Sequence, residues 1–256
     1  MKWVNFKKPI LIKPLFFGFL LILSNTIFSQ LVRVDTLIYK SQLPYLDSNI
    51  FNIKYPYFIL EDSILTTQLN RNIQHDYFRD TDMTSTLDEV LKDWDGLLYL
   101  EFEITYQDNN YLSFIISGEG CGAYCTSWRR TFVYSLKTGK RVSIQSILNL
   151  DGDLADKIKS DYEIQYAKNV LELNERRLDP DEEIDEVTYN WIIENYESCK
   201  TNFEIKDYSL YPDKIQLFTD CGMPHILLPF TPIYDLSYPF QDLKKYLKID
   251  CFKESK

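Results

Sequence analysis

Between residues 31 and 116, runs that alternate apolar with polar positions and runs that bury every fourth residue succeed one another, and each predicts an element. Leu31–Ser41 and Asn49–Leu60 are rich in β-branched, aromatic and Leu residues, and read as two strands joined by a turn at Pro44–Ser48. Leu65, Leu69, Ile73 and Tyr77 recur at intervals of four, which puts them on one face of a helix capped by Asp62 or Ser63. Asn70, Arg71 and Asp76 fall elsewhere on it. A short helix is expected over Thr84–Trp94, with Ser85 as its cap, Leu87 and Leu91 buried and Gly96 as its stop. Leu97–Tyr106, Tyr111–Ile116 and Arg130–Leu136 read as three further strands in an antiparallel meander. Asp108-Asn109-Asn110 forms the first turn, and Gly139 supplies a positive φ after the last strand.

The second half has the same grammar with longer helices. Leu154, Ile158, Tyr162, Tyr166, Val170 and Leu173 form one stripe on a helix that starts at Asp151-Gly152-Asp153 and is broken by Asp179-Pro180. Thr188–Tyr196 predicts another helix with Trp191 and Ile192 inward. Thr201–Leu210 and Lys214–Phe218 predict a hairpin around Tyr211-Pro212-Asp213, and Ile226–Phe230 a short strand. Pro239 opens a last helix that buries Phe240, Leu243, Tyr246 and Leu247. Segregated runs of strands and helices predict an α+β fold, an antiparallel sheet with packed helices including one long amphipathic helix.

The first thirty residues follow neither pattern. Lys2, Lys7, Lys8 and Lys13 precede an unbroken apolar run from Leu15 to Leu23, and a polar exit follows to Gln30. This is the layout of a signal peptide over residues 1–30, cut near Ser29, with an uncleaved N-terminal anchor as the other reading. A spanning helix needs about 20 apolar residues, so no stable membrane span is expected after cleavage. The localisation expected is export, to the periplasm or outside the cell. No Cys follows the run to take a lipid.

The chain of 256 residues has a formal charge of -10, and loss of the four lysines leaves -14 on the remainder. Phosphate backbones are repelled by such a field, which excludes nucleic acid and favours cationic partners. The 19 Tyr and 16 Phe point to a sheet-rich core.

Candidate chemistry concentrates in two loops. The first is Ser117–Trp128, with Gly118, Gly120 and Gly122, and its residues Glu119, Tyr124, Trp128 and Arg129 are the candidate ligand-binding set. Trp128 serves equally as a core residue. No Lys and Ser/Thr pair follows the glycines, so a phosphate loop is not expected. Cys121 and Cys125 lie four apart, a spacing repeated by Cys221 and His225 in the second loop. A Cys3His zinc site is one reading, but in an exported protein disulfides are favoured, and no cofactor is expected. With Cys199 and Cys251 there are five cysteines, so one is left over. The hairpin register about Pro212 sets Cys221 nearer Phe203 than Cys199. The preferred link runs from the Cys121–Cys125 loop to Cys221. The alternative reading is an envelope hydrolase using acidic residues or the Cys221/His225 region, where His225 offers a Cys-His pair, and His75 reads as a surface or half-buried residue. The acids from Asp179 to Glu186 lack a glycine turn for calcium and read as a solvated helix start.

Tyr55-Pro56 through Leu69-Asn70, Tyr111–Phe114, the Gly-rich loop, Leu136–Lys140, Ser143 and Ile147-Leu148 together resemble a module found beside the catalytic domain of peptidoglycan deacetylase C. Phe203–Ile205, Ile215–Phe218, Leu228–Phe230 and Leu236 resemble the module that completes the extracellular part of the lysozyme-sensing anti-sigma-V factor. The resemblance implies an N-terminal module over 31–140 and a C-terminal module over 141–256, packed as one unit. It also implies an exported, non-enzymatic binding or sensing domain whose partner is a protein or cell-wall ligand. The family's Gly-Gly-Ala-His-like loop stands here as Gly120-Cys121-Gly122-Ala123-Tyr124-Cys125, without the His, and no catalytic residue carries over. The short flank before the apolar run predicts no cytosolic sigma-binding segment, and no deacetylase domain is expected.

Overall fold

The computed structural model describes residues 32–42, 50–78, 85–93, 96–122, 124–182 and 184–248. The signal segment, the Pro44–Ser48 turn, Thr84, Trp94 and Cys251 lie outside the described residues. Strands β1 (Arg33–Gln42) and β2 (Ile50–Ile59) pair antiparallel, with Arg33 opposite Ile59. Helix α1 (Ser63–Phe78) follows, its first turn capped by the Asp62 carboxylate, which accepts from the Ile64 and Leu65 amides at 2.7 and 3.1 Å. Helix α2 (Leu87–Asp93) begins three residues into the expected range, with Thr86 as its cap rather than Ser85. Thr86 Oγ1 takes the Glu89 amide while Glu89 takes the Thr86 amide, a reciprocal box that closes the first turn.

Strands β3 (Leu97–Gln107), β4 (Tyr111–Cys121) and β5 (Cys125–Ser135) form the expected antiparallel meander. The five strands lie in the order β1-β2-β3-β4-β5. One pair departs from antiparallel: β2 meets β3 parallel at Ile53 and Leu100, because α1 and α2 carry the chain back to the starting end of the sheet. Leu69, Ile73 and Tyr77 of α1 are fully buried against Phe58, Leu100, Phe114, Phe132 and Tyr134. Each such side chain contributes about 1.5–3 kcal/mol by leaving water. Asn70 fixes the helix's position, since its amide donates to Phe58 O at 2.7 Å and accepts from Phe58 N at 2.9 Å. A residue placed off the apolar stripe thus closes the exposed polar edge of a strand.

The chain then builds α3 (Ile144–Ile147), α4 (Asp153–Leu178) and α5 (Glu186–Thr201), followed by β6 (Asp207–Leu210) and β7 (Lys214–Phe218). A short 310 helix over His225–Phe230 precedes β8 (Leu236–Pro239) and α6 (Phe240–Leu243). Strands β6-β7-β8 form a second antiparallel sheet. The α+β class and the long amphipathic helix stand as the pattern predicts. Leu154, Ile158 and Tyr162 of α4 cover the second sheet together with Val133 from the back of the first. Tyr166 and Leu173 further along pack with Ile192 and Tyr196 of α5.

Two expectations fail here. Ile226–Phe230 is not a strand: Pro224 caps and Pro229 lies within a 310 turn, neither able to donate to a ladder, and Leu236–Pro239 supplies the third strand. Trp191 is 42% exposed; Tyr189 turns inward, its hydroxyl donating to Asn174 Oδ1 at 2.6 Å. The sheets are joined where Ser113 Oγ, fully buried, accepts from Leu210 N at 3.0 Å and Thr105 Oγ1 at 2.8 Å. Among the described residues no helix is long and apolar enough to cross a membrane.

Candidate binding site between two disulfide-pinned loops

The glycine-rich stretch is mostly strand. β4 runs on to Cys121 and β5 starts at Cys125, so the expected loop shrinks to a three-residue turn with Cys121 directly opposite Cys125. The reason is Trp128, which sits across from Gly118. A Cβ at Gly118 would lie 2.8 Å from its ring and 2.9 Å from Leu100, and one at Gly120 3.2 Å from the same ring. The glycines are the floor on which the indole lies. The Trp128 Nε1–H donates to the Tyr77 hydroxyl at 2.8 Å. Near the hairpin's tip Cys121 N donates to Gly96 O at 2.8 Å, and Gly96 holds φ +93 where a Cβ would strike Cys121 O at 2.1 Å.

Strand alternation splits the expected ligand set. Trp128 shares the inner face with Arg130, whose guanidinium lies 5.2 Å from the Tyr77 ring centre and donates to the Tyr77 carbonyl. Glu119 and Arg129 point to the opposite face, and Tyr124 stands at the tip, 71% exposed. Trp128 is therefore a half-buried support of the hairpin, and the structure brings it to neither Glu119 nor Arg129.

The second loop does meet the first. The Tyr124 and His225 rings are 4.8 Å apart at 37°, and His225 Nε2 lies 3.4 Å from Cys125 O. Arg129 lies over the Phe218 ring at 5.5 Å. Gly222 N donates to Asp220 Oδ1 at 2.8 Å, which shapes the bend between Phe218 and His225. Phe218 is a member of this surface that sequence reasoning missed, and only the meeting of the loops reveals it.

The cysteine pairing differs from the one expected. Cys121 bonds to Cys125, with Cα atoms 3.9 Å apart, and Cys221 bonds to Cys199 at 5.0 Å, so the two loops touch without a covalent link. The register argument against Cys199 fails because the hairpin ladder ends at Asp207 and Phe218. Beyond it the chain turns to the last helical turn of α5, where Cys199 waits. Glu119 and the sulfurs of Cys121 and Cys125 lie within 4.8 Å of one another, but both sulfurs are in a disulfide and offer no thiolate. Cys221 is likewise spent, which removes the nucleophile from the Cys-His reading.

The remaining candidates serve the fold. Asp185 caps α5 by accepting from Thr188 N at 2.7 Å, and that bond holds its carboxyl below the usual range. Glu182 takes two bonds at 2.9 Å from Arg176, and Asp179 accepts from Asp181 N. His75 is half-buried beside Asp76, 3.5 Å away.

No family model matches the chain, and no curated protein does. Solved structures do. A DUF3298 family protein from Pseudomonas aeruginosa PAO1 is 16% identical, with a TM-score of 0.53 over 88% of this chain and 98% of that one. A DUF3298 family member from Bacteroides fragilis NCTC 9343 is 13% identical, with a TM-score of 0.52 over 85% of this chain and 94% of that one. At these identities the likeness is one of architecture: the chain has the fold seen in DUF3298 family proteins.

Proposed function

We propose that the chain is an exported, non-catalytic binding or sensing domain of the cell envelope, built from modules over 31–140 and 141–256, and that its ligand is a cationic protein of lysozyme type. The observation that carries this reading is the Tyr124–His225 surface. A strongly exposed aromatic side chain is held by a disulfide-closed hairpin tip and packed against a second disulfide-anchored loop. Aromatic anchors on rigid supports lose little entropy on binding, which suits recognition of another macromolecule. Glu119 and Arg129 flank the surface, and the overall charge supplies the attraction for a basic partner. Two disulfides accord with an oxidising compartment, as the signal-like N-terminus does. The resemblance to the anti-sigma-V ectodomain and the deacetylase accessory module points the same way.

Calorimetry of the chain against a lysozyme and against peptidoglycan fragments tests this. Binding of the lysozyme that weakens at least about tenfold in Tyr124→Ala and fades with added salt is expected. Binding of the fragments alone moves the ligand to the cell wall, and no binding to either removes the reading. Turnover of the fragments by the chain would restore the hydrolase alternative.

A further inference from the structure

Helix α4 is apolar on two sides. Its core stripe is accounted for by the second and third clusters of buried residues. On the opposite side Ile164, Leu171 and Leu178 are 65, 58 and 83% exposed. They recur every seven residues and span about 21 Å at 1.5 Å per residue. Three large aliphatic side chains in register gain nothing from water, and a seven-residue period is the one that keeps a stripe facing another helix. The charges beside the stripe say which helix. Glu163 and Arg177 flank it on one side, Lys168 and Glu175 on the other.

We propose that α4 is a contact surface between two copies of this chain, packed antiparallel about a two-fold axis at Leu171. Leu171 then meets itself, and Ile164 meets Leu178 of the second copy. In an antiparallel pair each flank faces its own equivalent, so Glu163 comes opposite Arg177 and Lys168 opposite Glu175. Both flanks are self-complementary. A parallel pairing matches Glu163 with Lys168 but sets Glu175 against Val170, so it uses half of the same charges. Within one copy Lys168 already reaches Glu172 at 3.3 Å, and Arg177 rests on the Tyr189 ring at 4.4 Å. The Lys168 and Arg177 side chains are themselves exposed, so both contacts can be shared or exchanged in the pair. The inference stands on α4 alone and is independent of the ligand read at Tyr124.

Sedimentation equilibrium of the full chain tests it. A concentration-dependent dimer is expected, and Leu171→Glu should raise the dimer dissociation constant at least about tenfold without changing the melting temperature of the dilute monomer. Lys168→Glu should weaken the dimer, and adding Glu175→Lys should restore it. Ile164→Cys and Leu178→Cys chains should cross-link to each other on oxidation when mixed, while Ile164→Cys alone should not cross-link to its own equivalent, as a parallel pair would allow. A chain that stays monomeric at about 1 mM, or a dimer indifferent to both Leu171→Glu and the charge exchange, overturns the proposal.

Discussion

The two halves of the candidate site do the same work by different means. The hairpin half is held by regular structure: a ladder of paired strands, glycines that admit an indole, and an indole hydrogen-bonded to a tyrosine of α1. Its disulfide closes a loop only four residues long in sequence separation, across positions the ladder already sets opposite each other. The half from Phe218 to Phe230 has no ladder past β7. It depends on Cys199–Cys221, on prolines and on single contacts such as the Tyr196 hydroxyl donating to Phe230 O at 2.7 Å. A binding surface can thus be rigid on both sides while its sensitivity to damage differs greatly between them.

That difference can be broken by experiment. The largest effect is expected from Cys199→Ser with Cys221→Ser. The bridge spans 22 residues, and loop-closure entropy assigns it about 3 kcal/mol, against about 2 for Cys121→Ser with Cys125→Ser. Urea denaturation of both pairs measures this, and equal losses would erase the distinction. Next comes alkali. Burial pushes the Tyr77 phenol up to about 12, outweighing the lowering by Trp128 and Arg130. A raised folded value means the stabilisation is complete below the ordinary value of 10.0 and is lost as pH rises through about 12. At about 1.4 kcal/mol per unit the loss approaches 2–3 kcal/mol. Tryptophan fluorescence of alkaline melts should follow it, and Tyr77→Phe should flatten that part of the curve. Gly118→Ala should cost about 2 kcal/mol by overpacking the indole and Leu100, with a red shift of emission. Smallest of all, Tyr124→Ala should leave stability within about 0.5 kcal/mol, since its ring is mostly in water. A larger loss would make Tyr124 a structural residue and not a binding one.

The parts of this fold legible in the sequence were those with a local cause. The stripe Leu65, Leu69, Ile73, Tyr77 and the stripe from Leu154 to Leu173 follow from helical period, and both helices appear where the stripes place them. The length of β4 was not legible, because Gly118 and Gly120 signal a loop until Trp128 is known to lie on them from a neighbouring strand. Nor was the cysteine pairing, which depends on where the β6–β7 ladder stops. Ile226, Leu227 and Leu228 have the composition of a strand, while Pro224 and Pro229 decide the geometry of a 310 turn. Of the expected site, Tyr124 and His225 are each legible separately, and their ring contact is a tertiary fact with no local signature.

Ser113 has a bearing on the order of events as the chain folds. Its hydroxyl is sealed inside the protein and receives the amide of Leu210, 97 residues away. The β3–β4–β5 meander has only short-range pairings and can form as soon as it is made, but the groove at Thr105 and Ser113 then stays wet. A half-synthesised chain would therefore carry an open, water-filled seam along its best-formed sheet, and arrival of β6 is the step that dries it. Until residue 210 has emerged, this is where a chaperone or a stray strand would find purchase.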